Sequence, residues 1–407
     1  MSLADVPLIL MLVGLAAYAV LGGADFGAGF WELWGGEGER ARSIREHAHH
    51  SMGPVWETNH VWLVFVLVVC WTAYPTAFAS ITSTLAVPLF IAGLGIVMRG
   101  TAYALRSGTR TAREQRRIEV AFGVSSILTP FALGAVIGGI ASGRVPVGNA
   151  AGDLVTSWLN WTSIFVGVLA VATAAYLAAV YLAADASRVG RPDLVAAFRL
   201  RALGSGIVAG TVALGGLPIV RHDAPSLWNG LTSDGGLIAV LVSAAAGCAT
   251  LALVYRYRFG PARVSAALAV AAIIACWALA QRPTFLPGLT IDEAAAGHST
   301  LVAVVVAVGL GAFLLVPSLV LLFRLFLHGR FDPNVVEPAP AQTPHRSAAV
   351  DHRLGAFAAV SLAIGATLTF FFETAWAHVI GVTALLLFVG TGFVALGSLV
   401  AADGEPD

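Results

Sequence analysis

Apolar residues fill this chain in blocks of about 20, the length a helix needs to cross a bilayer. Eleven spanning helices are predicted: Pro7–Trp34, Val55–Tyr74, Thr76–Arg99, Ile118–Ile140, Trp161–Ala184, Leu203–Val220, Leu237–Tyr255, Val264–Ala280, Ser299–Phe326, Leu354–Phe372 and Trp376–Ala401. Only Tyr74-Pro75-Thr76 separates the second from the third. A run from Val55 to Arg99 is too long for one crossing, and Pro75 is the natural break.

The arginines test this count independently. Alternate loops, starting with the first, hold Arg40, Arg42, Arg45, then Arg106 to Arg117, Arg188 to Arg201, Arg256 to Arg263 and Arg324 to Arg353, nineteen in all. The opposite loops hold only Arg144, Arg221 and Arg282, and Arg99 lies at a span end. Such a bias assigns the first group to the cytoplasm, the N-terminus to the outside and the C-terminus to the inside. A span split or merged in error would scramble the pattern downstream, and it stays regular.

Composition agrees: 58% of the 407 residues are hydrophobic and 11% charged, against about 25% charged in a soluble globular chain. The net charge of zero argues against a nucleic-acid partner. Cys70, Cys248 and Cys276 lie in apolar runs without C-x-x-C spacing and read as buried small hydrophobes. No basic segment precedes the first apolar run, which is longer than a signal peptide and is kept as a span. Residues 329–353, with four prolines, read as a cytoplasmic linker.

Two carboxylates stand out at the inner ends of adjacent spans. An acid at such depth costs about 2.5–3.5 kcal/mol on insertion scales, which makes it a candidate functional group. Asp25 lies in GGADFGAG (Gly22–Gly29), two thirds of the way along the first span. Gly23 and Gly27 are four apart on one face, where another helix can approach closely. One reading is a packing seam with one polar residue; the other, which the insertion cost favours, is a carboxylate held where water reaches it. Glu57 opens the second span in PVWETNHVWLVF (Pro54–Phe65). Alone it reads as an acid at a helix N-terminus. Its neighbours Trp56, Asn59, His60 and Trp62 make a dense polar and aromatic cluster, and His60 shares its face. Arg99 either snorkels to the interface or pairs with one of the acids. His47, His49 and His50 lie in a loop that reads as a wet polar surface, without a matching metal-ligand set elsewhere.

The order of these pieces resembles subunit II of the cytochrome bd-type quinol oxidases. Gly23 to Gly29 match that family's G-[FA]-D-x-G-x-G segment, and Pro54, Trp56, Glu57, Asn59, Val61, Trp62 and Leu63 match its P-x-W-[DE]-x-N-x-V-W-L segment. Arg99 and Arg106 match an arginine pair seven residues apart, and VPSLVLLFRLF (Val316–Phe326) resembles the family's last span. The resemblance covers about residues 1–333. It implies an all-α polytopic membrane protein of two four-helix bundles plus a peripheral helix. Its domains would be 1–332, a linker over 333–353, and an appended two-helix hairpin over 354–407.

The resemblance also implies a partner, subunit I, which binds haem b, haem d and the quinol. A small accessory subunit and membrane lipid are further implied neighbours. No catalytic centre, haem or metal is expected in this chain, which would belong to a bacterial inner-membrane complex. Asp25 and Glu57, with Asn59 and His60, would take part in a cytoplasmic proton path, and Arg99 would be a charge partner. Three departures are visible. Leu21 and Gly22 stand where many relatives carry a further acid, His60 stands where Gln or Glu is common, and the final hairpin has no counterpart. Two other readings compete: a stand-alone proton- or ion-coupled transporter, and a purely structural partner. Transporter sites sit near the bilayer midplane on broken helices, whereas these acids lie towards the inner face.

Overall fold

The computed structural model describes residues 2–35, 38–52, 56–106, 112–327, 352–371, 374, 376–377, 379–388 and 391. It is almost entirely helical. In chain order the helices are α1 (Asp5–Leu33), α2 (Glu39–Met52), α3 (Trp56–Ala73), α4 (Pro75–Thr84), α5 (Ala86–Arg106), α6 (Ala112–Ala141), α7 (Trp161–Arg188), α8 (Pro192–Gly215), α9 (Leu217–Asp223), α10 (Pro225–Leu231), α11 (Asp234–Tyr255) and α12 (Phe259–Gln281). A small antiparallel pair, β1 (Thr284–Leu286) and β2 (Leu289–Thr290), precedes α13 (Ile291–Ala294), α14 (His298–Leu327) and α15 (His352–Phe371). Eight described helices are long and apolar enough to cross a membrane, and α3 adds the shorter apolar stretch Asn59–Ala73.

The chain divides into two compact units, 1–315 and 316–407. In the first, α1 packs on α3 and α6, and α6 on α5. A second set forms from α7 on α8 and α12, with α11 on α12 and α8. The sets meet where α7 lies against α1 and α6. The sequence of α7 suits that central position. Its run Ala174–Ala179 is wholly buried, and alanines at 174, 175, 178 and 179 let neighbouring backbones come close on several sides. In the second unit, α15 packs on the helical stretch 379–388. There a Cβ added at Gly365 would stand 2.7 Å from Leu385 Cγ.

Polar contacts at the helix ends place alternate loops together. At the arginine-poor end, Arg282 pairs with Asp5 at 2.8 Å, and Arg144 grips Asp223 with two bonds of 3.0 and 2.6 Å. The N–H of Ala296 donates to Ala73 O at 2.8 Å at the same end. At the other end Arg263 pairs with Asp185 at 2.7 Å.

Four expectations need correction. The third span is not Thr76–Arg99: a short helix, α4, stops at Leu85 and the span is α5. Pro88 has no N–H for the Thr84 carbonyl, and the hydroxyls of Ser80, Thr82 and Ser83 bond back to carbonyls four residues earlier. Arg99 therefore lies seven residues inside its helix, about 10 Å from the end, rather than at the end. The supposed loop with His47 is the helix α2. It buries Ile44 and Ala48, and it sets His47 Nε2 3.1 Å from Leu182 O. Cys248 is exposed on α11, whereas Cys70 and Cys276 are buried. The linker and most of the final span lie outside the described residues.

Candidate functional site

The site is built on α1. Tyr18, Gly22, Asp25, Gly29 and Glu32 follow one another at spacings of four and three, so they line one face. All five are buried, Asp25 at 1% exposure and Glu32 at 4%. A polar side chain thus recurs every seven residues, or about 10 Å of helix rise. Gly23 and Gly27 face α7 instead. A Cβ at Gly27 would collide with the main-chain oxygen of Ala174, and one at Gly23 would lie 3.3 Å from Leu177 Cδ1. Close approach of α1 to α7 lets Trp31 Nε1 donate to Ala175 O at 2.8 Å.

Arg99 reaches Asp25 from α5. Its Nη2 donates to Asp25 Oδ1 at 2.7 Å and to the main-chain oxygen of the same residue at 2.8 Å. Its Nη1 donates to Ser126 Oγ on α6, whose hydroxyl in turn donates to Phe122 O at 2.6 Å. The guanidinium carbon lies 4.1 Å from the ring centre of Phe122 and 5.1 Å from that of Phe26. Arg99 is only 2% exposed, so it does not snorkel to the surface. A desolvated charge is tolerated where an opposite charge and further hydrogen bonds compensate it, and this pocket supplies both. The second carboxylate oxygen, Oδ2, is buried and has no hydrogen-bond partner among the described residues.

On α3, Asn59 is 1% exposed and its Nδ2 donates to Leu21 O at 3.3 Å, against the turn of α1 just before Gly22. The His60 ring lies 6.2 Å from both the Tyr18 and Phe26 rings. Of the five residues singled out in the sequence, Asp25 and Arg99 are in direct contact, and Asn59 and His60 border the same stretch of α1. Glu57 opens α3, but its side chain lies outside the described residues. Sequence reading passed over Glu32, Tyr18 and Ser126. The seven-residue spacing of Tyr18, Asp25 and Glu32 was a usable signal for the first two. Ser126 had none, because its role depends on α6 lying beside α5. Among the described residues no group of three or more His, Cys, Asp or Glu side chains is arranged to hold a metal ion.

The family model described as cytochrome bd terminal oxidase subunit II matches residues 3–326. The chain is 28% identical over 225 residues to the putative cytochrome bd menaquinol oxidase subunit II of Bacillus subtilis (strain 168), covering 53% of this chain and 62% of that protein. It is 29% identical over 133 residues to cytochrome bd ubiquinol oxidase subunit 2 of the same organism, covering 33% of this chain and 38% of the relative. The matched stretch therefore spans less than two thirds of either relative. Among solved structures, the bd oxidase from Geobacillus thermodenitrificans contains a similar chain, with a TM-score of 0.63 and 26% identity. That similarity covers 81% of this chain and 99% of the other.

Proposed function

This chain belongs to the cytochrome bd terminal oxidase subunit II family, and from that premise we propose that it is the haem-free subunit of a bd-type quinol:oxygen oxidoreductase. It assembles in the bacterial cell membrane with a haem-bearing subunit I, where quinol is oxidised and oxygen reduced to water. The two Bacillus relatives are named for menaquinol and ubiquinol, so quinol is the shared substrate class. The haems b and d belong to subunit I. This chain contributes part of the route by which cytoplasmic protons reach the oxygen-reducing centre.

The observation that carries the proton role is the buried Asp25 carboxylate with its two oxygens in different states. Arg99 holds Oδ1, which fixes the carboxylate in place. Oδ2 has no hydrogen-bond partner among the described residues, and in this reading it exchanges a proton with water. Glu32 stands two turns closer to the arginine-rich end, which faces the cytoplasm by the bias of basic residues. A proton taken up there passes Glu32, then Asp25, and continues along the α1–α3 contact past Asn59 and His60. Glu57, at the start of α3, serves the uptake end of the same route.

Asp25→Asn and Glu57→Gln are each expected to slow oxygen consumption by about ten-fold, the effect of ~1.4 kcal/mol on a barrier. The haem absorbance spectrum of the purified complex should be unchanged. Unchanged turnover in both variants removes the proton role, and loss of haem in both replaces it with a role in assembly.

The appended residues 354–407 lie beyond the family match, and we propose that they occupy the surface where a small accessory subunit would otherwise bind. Deleting them is expected to reduce recovery of the intact complex in detergent while leaving turnover per haem unchanged. Full recovery of a truncated complex overturns that role.

A further inference from the structure

The Tyr18 hydroxyl is buried in a membrane helix without a hydrogen-bond partner among the described residues, and so are Asp25 Oδ2 and Asn59 Oδ1. Native interiors rarely leave such atoms unsatisfied, and a buried water with several polar neighbours is the usual remedy. All three belong to the α1–α3 contact: Tyr18 and Asp25 are buried on the same face of α1, and α3 brings Asn59 against it. The Tyr18 ring lies along Gly22 towards Asp25: a Cβ at Gly22 would stand 3.1 Å from Tyr18 Cε2. Asn59 is anchored to Leu21 O on the same turn. The rings of Phe26 and His60 lie 6.5 and 6.2 Å from that of Tyr18. The chemistry is complementary. While Asp25 is ionised two of the oxygens accept only, the phenol both donates and accepts, and water can donate to the first two while bonding the third; once protonated, Oδ2 donates to the same water.

We propose that Tyr18 is a relay residue. With Asn59 it holds a buried water that carries the proton onward from Asp25. The inference rests on the proton role of Asp25 given above. In each passage Asp25 Oδ2 gives its proton to the water, and the water gives one of its own to the Tyr18 oxygen. The phenol then releases its original proton to a second water, so nothing is oxidised and the tyrosine ends unchanged. Gly22 leaves room for this placement, since an added Cβ would press on the Tyr18 ring and shift it by a few tenths of an ångström.

The test is Tyr18→Phe in the complete complex. Phenylalanine keeps the ring over Gly22, so packing is retained and only the hydroxyl is lost. Turnover is expected to fall roughly five-fold with an unchanged haem spectrum. The solvent deuterium isotope effect on turnover should rise, and a high-resolution map should lose the water beside Asn59. Wild-type turnover and isotope effect in Tyr18→Phe, with Asp25→Asn slow, overturn the relay alone. Wild-type behaviour in both variants overturns the proton role of Asp25 as well. Slower turnover with an unchanged isotope effect assigns Tyr18 to packing and also overturns the relay.

Discussion

Replacing Arg99 by leucine is expected to destabilise the folded chain by about 3–5 kcal/mol, the cost of removing one partner of a buried ion pair. That is a large share of the stability of most domains. Leucine roughly fills the space, but it leaves the Asp25 carboxylate buried without its cation. The main-chain oxygen of Asp25 and the Ser126 hydroxyl lose a donor in the same step. The rings of Phe26 and Phe122 lose the charge lying over them. Thermal unfolding of the purified complex measures the loss, and the expected result is a strongly lowered Tm or no recoverable complex. The double variant Asp25→Leu with Arg99→Leu separates the pair from its geometry. Exchanging both charges for apolar groups is often neutral for stability, so the double variant should recover much of the lost Tm. It should remain slow in oxygen reduction. A wild-type Tm in Arg99→Leu alone would show that the two charges do not depend on each other.

Gly27→Val is the second large effect. Helices α1 and α7 approach so closely at Gly27 that an added Cβ would overlap the Ala174 carbonyl and stand 2.7 Å from Ala178 Cβ. Backbone cannot swing aside as a side-chain end can, so the helices must separate. Overpacking of this kind costs about 1–3 kcal/mol, and valine brings two further methyl groups. Separation also moves Asp25, two residues earlier, out of the reach of Arg99, so activity should fall together with Tm. Gly23→Ala is the control. Its Cβ would meet only the flexible end of Leu177 at 3.3 Å, and the Tm should change little. Equal Tm values for Gly27→Val and Gly23→Ala would contradict the close approach of α1 to α7.

Residues whose surroundings the sequence left open or misplaced show where tertiary contact takes over. His47 belongs to a strongly polar segment, and nothing in its neighbours says that Ile44 and Ala48 dock against the helices. A short amphipathic helix such as α2 and a wet loop carry similar polar counts, and only the partner surface separates them. Arg99 shows the same limit. Snorkelling and pairing demand the same residue at the same depth, and the choice depends on whether α1 lies beside α5 across α6.

That the chain is built from a series of long apolar helices was determined by the sequence itself, because lipid leaves the backbone no alternative to helices and each crossing needs its full apolar length. The same cost of burying charge singled out Asp25 and Glu57 and sorted the arginines to alternate loops. Tertiary structure decided what those charges do. Which oxygen of Asp25 is tied, which hydroxyls face it and whether Arg99 meets an acid or the surface all depend on helices far apart in the chain. Such distances follow from how small residues such as Gly27 and Ala174 let backbones approach, and hydrophobic periodicity contains no information about them.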